Sequence, residues 1–247
     1  MSKAAFAPLR NLVLLEELAL TLKNRDHRLP GLGLFHGRSG DGKSFAAAWV
    51  AASDLMAYYV TATDYWTPRA MLDDIVKAMG LRPPARATND DKAKLIAAEL
   101  EASRRPLIID EADFLAAKGM LDKVRGLHDL AAPGTASIIF ITEEGGPQKF
   151  ARHERVHSRI MRFQAAQPCG LDDARELARL YAPRVTVADD LLGRLVKETF
   201  GSTRRVSLNL TDVARFAAGE GMKVITAADY RGQVVNTGAA PAVRRFA

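Results

Sequence analysis

The sequence predicts an α/β fold, in which a parallel sheet covered by helices on both faces is followed by a small helical domain. Two observations support this prediction. Short apolar runs alternate with helical segments over residues 31–163, and the runs are apolar throughout, as in parallel strands that are buried on both faces. From Leu171 onward the pattern becomes helical and contains no strong strand.

The helices and strands can be placed in order along the chain. A first helix is expected at residues 9–24, after Pro8, because its apolar residues recur at helical spacing. The other helices of the sheet domain are expected at residues 45–52, 69–79, 90–105 and 114–131. Apolar strands are expected at residues 31–36, 57–62, 106–110, 137–142 and 160–163. Helical patterns then recur at residues 172–182, 188–199, 206–219 and 226–235.

This order divides the chain into two domains and a tail. The α/β domain is expected to span residues 1–168 and the helical domain residues 169–235, with a linker near Gln167-Pro168-Cys169-Gly170. Residues 236–247 are rich in Gly, Ala and Pro and contain Arg244-Arg245, so a flexible tail is expected there.

The length and composition exclude several classes of protein. A chain of 247 residues with 48% hydrophobic residues is sufficient for one large core and a small appendage. The single cysteine, Cys169, excludes an intrachain disulfide and a cysteine-rich metal site. No apolar run approaches the ~20 residues that span a bilayer, and the N-terminus lacks the pattern of a signal peptide. These features predict a soluble, cytoplasmic protein.

The net charge of +6 is unevenly distributed. Residues 1–150 carry 19 Lys and Arg against 19 Asp and Glu, whereas residues 151–247 carry 16 against 10. A basic face attracts polyanions, and nucleic acid is the first candidate. An Arg-rich composition also produces modest excesses by chance, so charge alone leaves DNA binding open.

A glycine-rich string connects the first strand to the next helix. It has the phosphate-binding pattern G-x-x-x-x-G-K-[ST] and consists of Gly37, Arg38, Ser39, Gly40, Asp41, Gly42, Lys43 and Ser44. The glycines let several backbone N–H groups converge on phosphate oxygens, and the helix that follows adds its partial positive charge. Lys43 is expected to reach the β- and γ-phosphates and Ser44 to bind Mg²⁺. The sequence therefore predicts an ATP site whose contacts run from Gly37 to Phe45.

An acidic pair follows the third strand. Leu107-Ile108-Ile109 leads into Asp110 and Glu111, the pattern of a Walker B strand that ends at the ligand-binding edge of a sheet. Asp110 is expected to hold Mg²⁺, usually through water, and Glu111 to orient or deprotonate the attacking water. Residues 110–113 also spell the Asp-Glu-Ala-Asp box of RNA helicases. Such a helicase needs a second domain of similar size, and the helical segment after residue 165 is too short for one.

The order of these motifs resembles an AAA+ ATPase, a P-loop NTPase with a helical lid. In that family the strand after Walker B ends in a polar sensor-1 residue, and Thr142 stands there, with Glu143 as the alternative. Gly201-Ser202-Thr203-Arg204 resembles the G-x-x-R sensor-2 motif of the lid, which implies that Arg204 faces the γ-phosphate. Thr142 also suits an ordinary strand-end turn, and Arg204 a solvated helix face. The resemblance implies ATP hydrolysis with Mg²⁺ by a parallel-sheet core and a C-terminal lid.

A basic segment precedes the last predicted strand. Over residues 149–162, five basic residues stand against one acidic residue, Glu154. AAA+ proteins carry here an arginine that reaches the ATP of a neighbouring copy, and Ser158-Arg159-Ile160 resembles that element. The resemblance implies that Arg159, or alternatively Arg155, stabilises the transferring phosphoryl group in trans. The active form would then be a ring or an open helical filament; a solvated basic helix face is the alternative.

Within AAA+ proteins, the sequence most resembles the transposition ATPases of the phage Mu B protein (MuB), TnsC and TniB type, over about residues 8–235. The resemblance rests on the phosphate loop, on Tyr58-Tyr59-Val60 leading into Trp66-Thr67-Pro68-Arg69, on residues 109–115 and on the compact lid. It implies that ATP-bound copies form a helical filament on duplex target DNA and recruit a transposase, which stimulates hydrolysis. MuB has an additional N-terminal DNA-binding domain, whereas only about 30 residues precede the first strand here.

Candidate DNA contacts lie on segments that face the central channel in related assemblies. They are Arg69, after the second strand, and Lys118 and Lys123, after Walker B. Ordinary surface charge is the alternative for all three. Two further functions remain open: an ATP-switched module that recruits a protein without hydrolysis, and another AAA+ role such as loading a helicase. The presence of Glu111 favours hydrolysis over the first of these.

Overall fold

The computed structural model describes residues 9–232 and residue 234, and it divides into two compact units. The larger unit comprises residues 11–39 and 43–166. The smaller unit comprises Gly40–Gly42 together with residues 9–10 and the described residues from Gln167 onward. The predicted tail at residues 236–247, with Arg244-Arg245, lies outside the described residues.

A five-stranded parallel sheet forms the centre of the larger unit. Its strands are β1 (Leu32–His36), β2 (Tyr58–Thr61), β3 (Leu107–Asp110), β4 (Ile138–Thr142) and β5 (Ile160–Ala165). They lie in the order β2-β3-β4-β1-β5, and every neighbouring pair is parallel. The predicted parallel-sheet α/β fold is therefore confirmed.

The helices of this unit are α1 (Arg10–Lys23), α2 (Lys43–Ala52), α3 (Pro68–Ala78), α4 (Asn89–Ser103), α5 (Asp113–Ala117), α6 (Leu121–Leu130), α7 (Gly146–Ala151) and α8 (Glu154–His157). The α3 helix begins at Pro68 after the N-cap Thr67, and α4 begins with a capping box between Thr88 and Asp91. The prediction of one helix over residues 114–131 is wrong, because Gly119 adopts a φ of +65° between α5 and α6. Among the described residues, no helix is both long and apolar enough to cross a membrane.

Side chains of the sheet alternate between two helical layers. One face contributes Leu34 and Phe140 to a core shared with α3, α4 and α6, and Phe140 meets Phe150 of α7 edge-on at a centroid distance of 5.0 Å. On the other face, Gly33 lies against α1, and a Cβ at this position would lie 2.7 Å from Leu22 Cδ1. Burial on both faces explains why the strands read as uninterrupted apolar runs.

The smaller unit contains three helices and a pair of short parallel strands. These are α9 (Leu171–Tyr181), β6 (Thr186–Val187), α10 (Asp189–Glu198), α11 (Thr203–Gly219) and β7 (Val224–Ile225). The three helices contact one another, and Leu177, Leu195 and Leu210 are buried on them. The strands β6 and β7 have two residues each, which is too short for a period-two signal in the sequence.

The helix predicted over residues 226–235 is wrong for the described part of that range. Residues 227–229 form a turn. Asp229 stabilises this turn: its Oδ2 accepts hydrogen bonds from the backbone N–H of Thr226 at 2.9 Å and from the Thr226 hydroxyl at 2.7 Å. The same Thr-x-x-Asp pattern also begins many helices, so these residues alone do not distinguish a turn from a helix start.

Candidate functional site

Asp110, Glu111 and Thr142, three of the predicted site residues, lie at the carboxyl edge of the parallel sheet. The β3 strand ends at Asp110 and β4 ends at Thr142. In the sheet register, Thr142 lies opposite His36, the last residue of β1, and Asp110 lies opposite Thr61, the last residue of β2. Because all the strands are parallel, these ends share one edge, where ligands bind in open α/β sheets.

The loop after β1 has the conformation that its glycines permit. Gly40 and Gly42 have φ angles of +91° and +85°, which other residues rarely adopt. Helix α2 begins at Lys43, so Lys43, Ser44 and Phe45 form its first turn. A helix N-terminus offers backbone N–H groups and a partial positive charge to an anion.

The ammonium group of Lys43 bridges the first residues of the loop. Its Nζ donates to the carbonyl oxygens of Gly37 at 2.8 Å and Arg38 at 2.9 Å. Phosphate oxygens carry more charge than carbonyl oxygens and make stronger charge-assisted hydrogen bonds. A triphosphate can therefore replace these carbonyl groups as the partner of Lys43. Ser44, the next residue, is exposed.

Asp110 is held in one orientation at the end of β3. It is 3% exposed, and its Oδ1 accepts a hydrogen bond from the backbone N–H of Glu111 at 2.8 Å. Its Oδ2 accepts a hydrogen bond of 3.0 Å from the hydroxyl of Tyr59 on the adjacent strand β2. Burial, reinforced by the charge of Asp110, raises the pKa of Tyr59 to about 12, so the phenol keeps its proton at neutral pH. Sequence reasoning missed Tyr59, because an aromatic residue in a strand signals only β structure.

Glu111 occupies a strained backbone position next to Asp110. Its φ is +52°, a left-handed conformation that costs a non-glycine residue roughly 1–2 kcal/mol and recurs at active sites. Burial and then the negative charge of Asp110 raise the pKa of its carboxyl group, while Lys43 opposes the shift. A carboxylate with a raised pKa is a stronger general base, so this position suits a residue that accepts a proton from water.

Hydrogen bonds to Asp113 of α5 connect this helix to the end of β4 and to α7. Asp113 accepts hydrogen bonds from the backbone N–H of Glu143 at 2.8 Å and from Lys149 Nζ at 2.7 Å. Thr142 is 2% exposed, and its hydroxyl has no hydrogen-bond partner among the described residues. It packs against Gly146, where an added Cβ would lie 1.9 Å from Thr142 Oγ1. Glu143, the alternative sensor residue, is exposed.

The oxygen ligands that Asp110 and Ser44 offer fit a magnesium ion that is bound together with a nucleotide. Asp110 offers a buried, oriented carboxylate and Ser44 offers a hydroxyl, and Mg²⁺ commonly takes one or two protein oxygens with phosphate and water. Within residues 9–232, no group of three His, Cys, Asp or Glu side chains is arranged to hold a metal ion. A metal at this edge would therefore take its further ligands from nucleotide phosphates and water.

Arg159 lies at the opposite, amino edge of the sheet. It directly precedes β5, and its carbonyl accepts a hydrogen bond of 3.2 Å from the backbone N–H of Leu32, the first residue of β1. From this edge it does not reach the phosphate loop of its own chain. Its Nε donates to Asp129 Oδ1 at 2.8 Å, and its Nη1 donates to the carbonyl of Arg155 at 3.0 Å. Arg155, the alternative residue, is exposed on α8.

In the smaller unit, the predicted sensor-2 motif contacts the glycines of the phosphate loop. The backbone N–H of Arg204 donates to the carbonyl of Gly40 at 3.0 Å, and the Thr203 hydroxyl donates to the carbonyl of Asp41 at 3.3 Å. A Cβ on Gly40 would lie 2.6 Å from Ser202 Oγ. The motif is thus adjacent to residues 40–42 of the loop, and the side chain of Arg204 is exposed.

The three candidate DNA contacts differ in their surroundings. Arg69 is exposed on α3, with its Nε 3.8 Å from the carboxylate of Asp73. Lys118 is bound to the backbone carbonyl of Asp64 and lies 3.4 Å from its carboxylate, which fixes the end of α5 to the loop after β2. Lys123 is exposed on α6. Arg69 and Lys123 are therefore more accessible to a phosphate backbone than Lys118.

The glycine-rich loop before α2, the acidic pair after β3 and the strand order together define the class of P-loop NTPases. Within that class, the chain belongs to the AAA domain family, whose family model matches residues 26–150, about half of the chain. No curated protein matches the sequence at a significant level.

Solved structures share the fold at low sequence identity. The ORC2 protein of Aeropyrum pernix, in ADPNP-ADP complexes, is 18% identical with a TM-score of 0.67, and the match covers 91% of this chain and 68% of that one. The ORC1 protein of the same organism, in complex with DNA, is 20% identical with a TM-score of 0.59 and coverage of 87% and 61%. Domain III of the replication initiation protein DnaA from Thermotoga maritima is 16% identical with a TM-score of 0.56, and 90% of each chain is covered.

These comparisons confirm the AAA+ fold. The chain spans about two thirds of the two ORC proteins and most of the DnaA domain. The more specific assignment to the MuB, TnsC and TniB type stays a prediction.

Proposed function

We propose that this protein is an ATP-dependent DNA-binding ATPase that assembles on duplex DNA and recruits a transposase in DNA transposition. The observation that carries the proposal is the placement of two groups at opposite edges of one sheet. Lys43 and Glu111 lie at the carboxyl edge, and Arg159 lies at the amino edge. If Arg159 serves the nucleotide of another copy, the copies stack head to tail, and such contacts repeat as a ring or a helical filament.

Each residue of the site has a separate role in ATP hydrolysis. Residues 37–45 bind the phosphates, and Lys43 offsets their charge. Glu111 accepts a proton from the attacking water, and Arg159 of the next copy stabilises the transferring phosphoryl group. Thr142 or Glu143 and Arg204 register whether the γ-phosphate is present. Magnesium, held at Asp110 and Ser44, supplies further neutralisation of phosphate charge when it is bound.

DNA binding is supported by the resemblance to MuB, TnsC and TniB and by the similarity to ORC1, a protein solved in complex with DNA. Non-specific duplex binding needs basic side chains that neutralise phosphates. Arg69, Lys118 and Lys123 supply such groups on one unit of this chain. The transposase as partner rests on the family resemblance alone.

A second function is favoured by one comparison. Domain III of DnaA, a replication initiation protein, matches this chain over 90% of both lengths. Loading a replicative helicase, or recruiting another protein in an ATP-dependent manner, therefore stands as the alternative. A pull-down with ATP-bound protein separates the two functions, since one predicts a transposase and the other a helicase.

The proposed function is tested by measuring duplex DNA binding with ATP, with ADP and without nucleotide over a range of salt concentrations. We expect tight binding only with ATP, weakening steeply as salt rises, and decorated filaments in electron micrographs. Lys43→Ala is the control that removes the nucleotide response. Equal DNA affinity in all three nucleotide states would count decisively against the proposal.

A further inference from the structure

The carboxylate of Asp129 binds three side chains at the amino edge of the sheet. Its Oδ1 accepts hydrogen bonds from Arg159 Nε at 2.8 Å and from His128 Nδ1 at 3.0 Å, and its Oδ2 accepts one from Arg125 Nη1 at 2.5 Å. Burial opposes ionisation of Asp129, but the hydrogen bonds from His128 and Arg159 outweigh it and lower the pKa of this carboxyl. Asp129 therefore carries its charge at neutral pH.

His128 fixes the orientation of Asp129 relative to the sheet. The backbone N–H of Gly31, which directly precedes β1, donates to His128 Nε2 at 3.1 Å. The proton of the neutral imidazole is then on Nδ1, which faces Asp129. Burial lowers the pKa of His128 and so favours this neutral form. The carboxylate is thus anchored to the start of a central strand.

The guanidinium group of Arg159 is held through two of its three nitrogens. Its Nε is bound to Asp129, and its Nη1 is bound to the carbonyl of Arg155. Its Nη2 makes no hydrogen bond to any residue that the structure describes, and the side chain is 35% exposed. Two bonds therefore orient the group while Nη2 stays available to a ligand. Donors that are oriented before the reaction stabilise a transition state better than mobile ones.

We propose that Asp129 is the positioning residue of Arg159 and that it orients this arginine toward the triphosphate of the next copy. The inference rests on the proposed function, and it deepens that function by naming the group that acts through Arg159. Asp129 itself contacts neither the nucleotide nor the attacking water. The alternative is a purely structural link between α6 and the connection from α8 to β5.

Three variants and a matched control separate these roles. Asp129→Asn removes the charge that holds Arg159, Asp129→Glu keeps the charge at a longer reach, and Arg159→Ala removes the guanidinium group. Asp122→Asn is the control, because Asp122 lies on the same helix and binds Arg125 at 2.9 Å. All are measured as DNA-stimulated ATP hydrolysis at saturating ATP, with nucleotide affinity determined separately and folding checked by circular dichroism.

We expect Asp129→Asn to lower the hydrolysis rate roughly 10–100-fold with unchanged nucleotide affinity, because a misplaced catalytic group costs about this much. Arg159→Ala is expected to lose about 10³-fold. Asp129→Glu should lie between the wild type and Asp129→Asn, and Asp122→Asn should match the wild type.

Mixing two variants distinguishes a role of Asp129 in the site of the neighbouring copy from a structural role within its own copy. Glu111→Gln lacks the base but retains Asp129 and Arg159, whereas Asp129→Asn retains its own base. A 1:1 mixture should recover roughly one quarter of the wild-type rate, since half of the sites keep Glu111 and half of those meet an intact Asp129 in the neighbour. A mixture that stays as slow as its components overturns the inference, because the defect would then lie within the copy that carries it.

The outcomes also separate this inference from the proposed function. If Arg159→Ala hydrolyses ATP as fast as the wild type in assembled complexes, the trans arginine of the proposed function is wrong, and the role of Asp129 falls with it. If Arg159→Ala is slow while Asp129→Asn equals Asp122→Asn, only the role of Asp129 is wrong.

Discussion

The hydroxyl of Tyr59 donates a hydrogen bond of 3.0 Å to Asp110 Oδ2 across the adjacent parallel strands β2 and β3. Together with the backbone N–H of Glu111 on Oδ1, this bond fixes the plane of the carboxylate. A carboxylate that is oriented in advance loses less entropy when a hard cation binds beside it. Tyr59 therefore acts on the candidate metal site without being one of its ligands.

Tyr59→Phe should weaken the response to magnesium. The substitution removes one hydrogen bond, which we expect to lower the free energy of unfolding by about 1 kcal/mol. The Mg²⁺ concentration needed for half-maximal hydrolysis should rise by about 10-fold, the lower end of the effect typical for residues that orient a metal ligand. Magnesium titrations of hydrolysis and of fluorescent nucleotide binding provide the measurement. Tyr65→Phe is the control, because Tyr65 is 91% exposed; an equal shift in both variants would contradict the role of Tyr59.

Glu111→Gln should retain nucleotide binding and lose hydrolysis by about 10²-fold or more, because it removes the general base. It should also raise thermal stability at neutral pH. The pKa of Glu111 is raised in the folded chain by burial and by Asp110, so its ionised form is less favourable there than in the unfolded chain. The stability of Glu111→Gln relative to the wild type should therefore decrease as the pH falls through the pKa of Glu111, since the wild-type carboxyl group is then protonated. Thermal unfolding at a series of pH values is the measurement, and a gain that grows on acidification contradicts the assignment.

Gly146→Ala should destabilise the larger unit, whereas Gly145→Ala should be tolerated. A Cβ on Gly146 would lie 1.9 Å from Thr142 Oγ1 and 2.4 Å from Thr142 Cβ, while a Cβ on Gly145 meets nothing within 4 Å. Overpacking of a buried contact costs roughly 1–3 kcal/mol. Chemical denaturation of both variants tests the difference. Equal midpoints for the two would mean that α7 does not pack on Thr142 as described.

Arg69→Ala and Lys123→Ala should weaken duplex binding more than Lys118→Ala does. Arg69 is exposed, with its Nε 3.8 Å from Asp73 Oδ2, and Lys123 is also exposed, whereas Lys118 is already bound to Asp64. Each lost phosphate contact should reduce the slope of log affinity against log salt by about 1. Lys94→Ala is the control, since Lys94 pairs with Asp90 on α4. A slope unchanged in both Arg69→Ala and Lys123→Ala would place the DNA contacts elsewhere.

The sheet and most of its helices were predictable because their signals are local. The strand from Ile138 to Thr142 is an unbroken apolar run, and α4 carries its own cap in Thr88 and Asp91. The break between α5 and α6 was also visible in the sequence as Gly119, but an isolated glycine within a helical pattern does not reveal a positive φ.

The contacts that complete the candidate site could not be predicted from the sequence. Tyr59 and Asp110 are 51 residues apart, and Asp129 and Arg159 are 30 residues apart. Such pairs are set by strand order and by helix packing, which one sequence does not specify residue by residue. The motif Gly37 to Ser44 is different, because its chemistry and its conformation are both encoded in eight consecutive residues.

The opposite positions of the phosphate loop and Arg159 give any head-to-tail row of copies a polarity. At one terminus a copy presents its arginine to solvent, and at the other terminus a copy holds a nucleotide that no arginine serves. If Arg159 serves the nucleotide of the next copy, hydrolysis would be slowest at that second terminus, so subunits there would keep their triphosphate longest while interior subunits turn over. Growth and disassembly would consequently favour different termini, and the direction of the five strands would set which terminus is which.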